Sequence, residues 1–125
     1  IANTYYIGIM LSGKGGKEQL DAAHKVKIAF PNQTNRGAHI NISGGGVLKH
    51  SPNRENAEKF LEFLLSEEAQ IHIVNNTFEY PVLETVKPHP LIASFGNFKM
   101  DKTSVADFGK YNPEAVKLMD RVNWQ

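Results

Sequence analysis

The sequence contains no cysteine, which excludes disulfide-stapled folds, thiolate metal sites and thiol nucleophiles. It carries little net charge, with 14 Lys and Arg against 13 Asp and Glu and a formal charge of +1, which argues against a dedicated nucleic-acid-binding protein. It also lacks a long apolar run, whereas a membrane-spanning helix needs roughly 20 apolar residues. The remaining composition, 41% hydrophobic and 22% charged over 125 residues, is that of an ordinary globular domain.

Helix caps and apolar spacing predict several helices. Asn3 or Thr4 caps a first helix, which ends near Leu11 at a glycine-rich turn. Further helices are predicted at residues 17–24, from Ser51-Pro52 onward, from Ser66 to residues 75–77, and from Asn112-Pro113 onward. An apolar stripe at helical spacing predicts that the helix after Ser51 faces a core; its members are Ala57, Phe60, Leu61, Leu64 and Leu65.

Alternation of apolar and polar residues predicts a small number of strands. Residues 25–30 and 38–42 alternate in this way, and residues 47–49 can resume a strand after the turn at 43–46. The sequence therefore predicts an α/β fold with few strands and several helices, which become more frequent towards the C-terminus.

Most motifs that carry chemistry are absent from the sequence. The histidines at 24, 39, 50, 72 and 89 form no zinc-binding arrangement, so we assign none of them to a metal. The glycines at 44–46 lack the Gly-Lys-Ser/Thr that follows in a phosphate-binding loop, so we interpret them as a turn. We find no nucleophile elbow and no separated acid and base pair, and we expect no enzyme activity.

The adjacent Tyr5 and Tyr6, at a predicted helix start, are a candidate metal site. A phenol has a pKa of about 10, so it ionises at neutral pH only beside a strong cation such as Fe(III). Neighbours in a regular helix point about 100° apart, but the first turn can depart from that geometry. Its free N–H groups also favour anions, and Asn3 is placed to bind one. The alternative is two amphipathic aromatics, one packed and one half-exposed.

Six segments, in this order and spacing, resemble the C-terminal portion of bacterial periplasmic ferric-ion-binding proteins. These are the substrate-binding components of iron(III) ABC transporters, including the iron-deficiency-induced group. The segments are ANTYY at residues 2–6, FPNQ at 30–33, RGAHINISG at 36–44, KHSPNRENA at 49–57, FEYPV at 78–82 and KYNPEAVKLMDR at 110–121.

The resemblance implies a partial type II periplasmic binding protein fold, in which residues 1–125 contribute to both lobes around an Fe(III) cleft. It implies that Tyr5 and Tyr6 are iron ligands and that Asn3 contacts a synergistic anion such as carbonate or phosphate. The family's other ligands, from His, Glu or a further Tyr, lie upstream of the tyrosine pair. Since the chain begins at Ile1, we expect this upstream part to be absent from it.

The resemblance further implies a periplasmic location and delivery of Fe(III) to an ABC transporter permease. The missing upstream segment of the same protein is an expected partner, and self-association of the fragment is an alternative.

Two other functions stay open. The same scaffold can carry another metal, a chelate or an organic anion, since fold does not dictate ligand. The chain can also be a piece that binds nothing alone.

Overall fold

The computed structural model describes residues 1–124 and is built almost entirely from helices and extended segments. The helices are α1 (Thr4–Leu11), α2 (Lys17–Ala23), α3 (Arg54–Leu64), α4 (Glu67–Thr77), α5 (Pro90–Ala93) and α6 (Val105–Arg121). Across the described part of the chain, none of these helices is long and apolar enough to cross a membrane. Residue contacts divide the chain into a first unit, residues 1–29 and 44–97, and a second unit, residues 30–43 and 98–124.

The first unit holds most of the buried apolar side chains. Helix α1 packs against α2 and α5, and α3 packs against α4. The buried apolar residues of this unit are Ala23, Ala69, Val74, Phe78, Val86 and Ile92. Phe78 and Ile92 are 2% and 0% exposed, and they lie where α4 ends and in α5. The core of this unit therefore lies beside α1, the helix that carries both tyrosines.

The second unit is held together by backbone pairing between its two chain segments. Ala38 and Met100 form an isolated parallel bridge, in which the Ala38 N–H donates to the Lys99 carbonyl at 2.8 Å. The Gln33 side chain adds to this pairing, because its Oε1 accepts from the Lys99 N–H at 2.7 Å and its Nε2 donates to the Lys99 carbonyl at 3.2 Å. The Phe30 and Phe98 rings stack at 4.1 Å beside these bonds.

The three predicted strands do not form a sheet among residues 1–124. Residues 25–30 and 47–49 pair with no strand, and within 38–42 only Ala38 forms a bridge. The alternation correctly marks extended backbone, but a strand also needs a partner for its N–H and C=O groups. The prediction of strands was therefore wrong for this chain, and the helices were the reliable part of the predicted α/β pattern.

The predicted helix starts had mixed outcomes. Ser66 caps α4 as predicted, with its Oγ accepting from the Ala69 N–H at 3.3 Å. The start predicted at Ser51-Pro52 was wrong, because α3 begins at Arg54 after Asn53. The start predicted at Asn112-Pro113 was also wrong.

Helix α6 begins at Val105, and the Ser104 Oγ accepts from the Ala106 N–H at 3.3 Å. Pro113 therefore lies inside α6, where it can donate no hydrogen bond to the carbonyl four residues earlier. The Ser-x-x-Asp pattern at residues 104–107 is the helix-start signal that marks the true beginning.

The apolar face of α3 is exposed or only half-buried, and most of α6 is exposed. Neither helix has a buried residue, and Phe60 of the predicted core-facing stripe is 59% exposed. The helical period therefore identified the apolar face of α3 correctly, but the expectation that this stripe packs against a core was wrong for the described chain.

Candidate metal centre

The two tyrosines lie in the first turn of α1. Asn3 precedes the helix in an extended conformation, with φ −74° and ψ 146°, and its carbonyl accepts from the Tyr6 N–H at 3.3 Å. The N–H groups of the first turn have no carbonyl one turn earlier in the helix, so they give this end a partial positive charge. A phenolate or a bound anion is electrostatically favoured at this position.

The Tyr5 and Tyr6 rings lie side by side although the residues are neighbours in a helix. Their centroids are 4.4 Å apart and their planes are inclined by 47°. Tyr6 is 52% exposed and Tyr5 is half-buried, so neither ring is enclosed in the core. The first turn thus brings together two phenols whose side chains would diverge in mid-helix.

Asn3 contacts the tyrosine pair directly. Its Nδ2 donates to the Tyr5 hydroxyl oxygen at 3.1 Å, and its side chain makes no capping hydrogen bond to α1. A donor held against a phenol oxygen stabilises the ionised form of that oxygen. Asn3, predicted as an anion contact, is therefore bonded to one candidate ligand in this structure.

The phenol of Tyr6 has a raised pKa. The main cause is a hydrogen bond with the Tyr5 side chain, followed by electrostatic repulsion from Tyr5 and a contribution from desolvation. The raised pKa disfavours the phenolate form of Tyr6, so ionising this side chain needs a nearby positive charge.

The other candidate donors lie apart from one another. Among residues 1–124, no group of three or more His, Asp or Glu side chains is arranged to hold a metal ion. His39 packs against Phe108 with ring centroids 5.0 Å apart, and the His89 Nδ1 accepts from the Leu91 N–H at 3.2 Å to cap α5. In this structure both histidine side chains are engaged in contacts within the protein.

The sequence analysis did not identify the residues that pack α1 against the core. Gly8 is the buried residue of α1, and it contacts Phe78, which lies 70 positions later in the chain. A glycine inside a helix costs about 1 kcal/mol relative to alanine, so Gly8 itself was a signal of close packing. No pattern in the sequence predicts that Phe78 is the residue in contact with Gly8.

Comparison with known proteins identifies the family. Residues 4–100 match the family model of bacterial extracellular solute-binding proteins. The chain is 46% identical over 125 residues to "Iron uptake protein A1" of Synechocystis sp., covering 100% of this chain and 34% of that protein. It is 27% identical over 105 residues to an "Fe(3+)-binding periplasmic protein" of Serratia marcescens, covering 83% of this chain and 30% of that one.

Solved structures agree with this assignment. A Trichodesmium IdiA (FutA) protein in complex with iron and citrate ligands matches with a TM-score of 0.90 and 49% identity, over 99% of this chain and 39% of that one. A ferric binding protein from Campylobacter jejuni matches with a TM-score of 0.90 and 38% identity, over 100% and 39%. The resemblance to ferric-ion-binding proteins is confirmed, and the chain spans about a third of the length of the Synechocystis relative.

Proposed function

Because this chain belongs to the bacterial extracellular solute-binding proteins, we propose that it presents two tyrosinate ligands, Tyr5 and Tyr6, to Fe(III) in an iron uptake protein. The observation that carries the proposal is the pair of phenol rings 4.4 Å apart at an exposed helix start. Relatives named for iron uptake and ferric-ion binding support Fe(III) as the cargo.

Each residue of the candidate centre has a distinct proposed task. Tyr5 and Tyr6 lose their protons and bind Fe(III) through hard, anionic oxygen atoms. The N–H groups of the first turn of α1 offset part of the added negative charge. Asn3 gives up its hydrogen bond with the Tyr5 hydroxyl and binds an anion that fills a further coordination position of the iron. The resemblance led us to expect carbonate or phosphate as this anion. Citrate accompanies iron in one of the matched structures.

The two phenolates fill two of the positions of a six-coordinate ferric ion. We propose that the remaining protein ligands come from a segment of the same protein upstream of Asn3. In that arrangement residues 1–125 contribute to both lobes of a type II periplasmic binding protein, and the division of the chain into two units supports this. The loaded protein then delivers Fe(III) from the periplasm to an ABC transporter permease, without a catalytic step.

The alternatives differ in cargo or in assembly. A scaffold of this family can bind another metal, a chelate or an organic anion, and the tyrosine pair with Asn3 is the feature that favours Fe(III). The chain on its own can also bind nothing, or it can associate with a second copy through its exposed helix faces. Iron titration and light scattering of the isolated chain separate these cases.

Phenolate-to-iron charge transfer gives a direct test. The protein expressed from its complete gene, loaded with ferric citrate, should show a visible absorption band. Tyr5→Phe and Tyr6→Phe should each weaken iron binding and reduce the band, and the double variant should lose the whole contribution of these two phenolates to it. Tyr111→Phe is the matched control, because Tyr111 is an exposed tyrosine of α6. A double variant with undiminished colour would exclude these ligands.

A further inference from the structure

Helix α1 meets the core of the first unit through Gly8. A Cβ atom added to Gly8 would lie 2.7 Å from the Cβ of Phe78 and 2.9 Å from the Cδ1 of Ile92. Cβ atoms do not approach other carbon atoms so closely in folded proteins, so no larger residue fits here without displacement. The backbone of α1 therefore rests directly on these two side chains.

Phe78 is held from several sides in an unusual conformation. It follows α4 with φ 60° and ψ 24°, in the left-handed region that residues with a Cβ rarely adopt, and its N–H donates to the Val74 carbonyl at 3.2 Å. The His89 ring meets the Phe78 ring edge-on at 4.8 Å, and the Lys14 Nζ lies 4.9 Å from its centroid. Phe78 is therefore a fixed support for α1.

The support lies within one helical turn of the tyrosine pair. Gly8 follows Tyr5 by three positions, so the two residues share a face of α1, while Tyr6 projects towards solvent. A helix moves as a rigid element over so short a distance. A shift of α1 on Phe78 therefore moves both phenol oxygens, and a metal site tolerates only about 0.5 Å of displacement in its ligands.

We propose that Phe78 is a positioning residue for the tyrosine pair: its Cβ and Cγ atoms, packed under Gly8 and held by the contacts of the ring with His89 and Lys14, fix the placement of α1 and thereby the geometry in which Tyr5 and Tyr6 meet a metal ion. The proposal rests on the proposed function, since it concerns the same pair of ligands. Phe78 itself contacts no ion. It acts through the backbone of α1, as an outer support acts on metal ligands.

Two variants test the contact from its two sides. Phe78→Leu keeps the Cβ and Cγ atoms under Gly8 but removes the ring that anchors them against His89 and Lys14, and Gly8→Ala keeps the ring but adds the Cβ that has no room. Each should lower the affinity for Fe(III), supplied as ferric citrate, by about tenfold, the loss typical of outer supports of metal ligands. Each should also move the wavelength of the charge-transfer band. The losses in the double variant should not add, because both changes act on one contact.

Val74→Ala is the control for stability alone. Val74 is buried in α4 one turn before Phe78, so its truncation destabilises the same unit. It should leave the band and the iron affinity of the folded protein unchanged. The charge-transfer band and the iron affinity are measured on protein expressed from the complete gene, under conditions in which every variant is folded to the same extent.

The outcomes separate this inference from the function on which it rests. An unaltered protein that shows no charge-transfer band contradicts the tyrosinate proposal itself. The positioning role alone is overturned if the unaltered protein shows the band but Gly8→Ala and Phe78→Leu change neither the wavelength of the band nor the affinity for Fe(III). Gly8→Ala, the smaller change, decides the question if Phe78→Leu does not fold.

Discussion

Gln70 connects three segments of the first unit, and replacing it with leucine measures what that connection contributes. Gln70 is 6% exposed; its Nε2 donates to the Leu64 carbonyl at 2.8 Å, and its Oε1 accepts from the Val82 N–H at 3.0 Å. Leucine fills a similar volume but makes neither bond. An unsatisfied buried polar group costs about 1–3 kcal/mol; Leu64 is half-buried and Val82 is exposed, so we expect a total loss of about 2 kcal/mol.

Hydrogen exchange at the Val82 amide gives a local measurement of this loss. Losing about 1 kcal/mol of protection at that amide should speed its exchange roughly fivefold in Gln70→Leu, since 1.4 kcal/mol corresponds to tenfold. Gln70→Glu keeps an acceptor for Val82 but replaces the donor to Leu64 with a buried carboxyl group, so Val82 should stay protected while urea stability falls. Gln19→Leu, on an exposed part of α2, should change neither. Unchanged Val82 exchange in Gln70→Leu would refute the reasoning.

Two further predictions concern protons. Because Tyr6 has a raised pKa and both phenols must ionise to bind, Fe(III) affinity should fall by up to about 100-fold for each pH unit of acidification, measured by competition with a chelator; a pH-independent affinity contradicts this. Hydrogen bonds from the Thr103 hydroxyl and N–H hold the pKa of Asp101 below its usual value. The lowered pKa means that ionised Asp101 stabilises the folded protein. This contribution is present above the pKa of Asp in the unfolded chain, about 3.9, and is lost as the pH falls through the lower pKa of Asp101 in the folded protein. Thr103→Val should raise the Asp101 pKa in an NMR titration, and an unmoved midpoint would show that the hydroxyl has no effect.

Local signals in the sequence predicted those parts of the fold that depend on local interactions. The cap at Ser66 and the end of α1 near Leu11 are set by residues within one turn of each boundary. The strands failed because pairing is a property of two segments, and residues 25–30 carry no information about their partner. The apolar stripe of α3 failed in the same way, since a helical period identifies a face but not what covers it.

The candidate site shows the same division between local and distant information. The tyrosine pair and Asn3 are close together in sequence, so residue types alone marked them as a candidate site, and the family resemblance supplied the predicted role of iron ligands. The bond from Asn3 to the Tyr5 hydroxyl depends on side-chain geometry, and the support under Gly8 depends on Phe78, 70 positions later. Neither contact has a sequence signature, because packing partners distant in the chain are set by the fold.

Selection of the cargo follows from the cost of ionising the two phenols. At neutral pH, a phenol with a pKa of about 10 lies three pH units from its midpoint, so its ionisation costs about 4 kcal/mol. The pKa of Tyr6 is raised further by its neighbour, first because a hydrogen bond with the Tyr5 side chain favours the protonated form and then because two phenolates side by side repel each other. Under the proposed function, only an ion of high charge offsets the cost of ionising both phenols. The closeness of the two rings therefore favours Fe(III) over ions of lower charge.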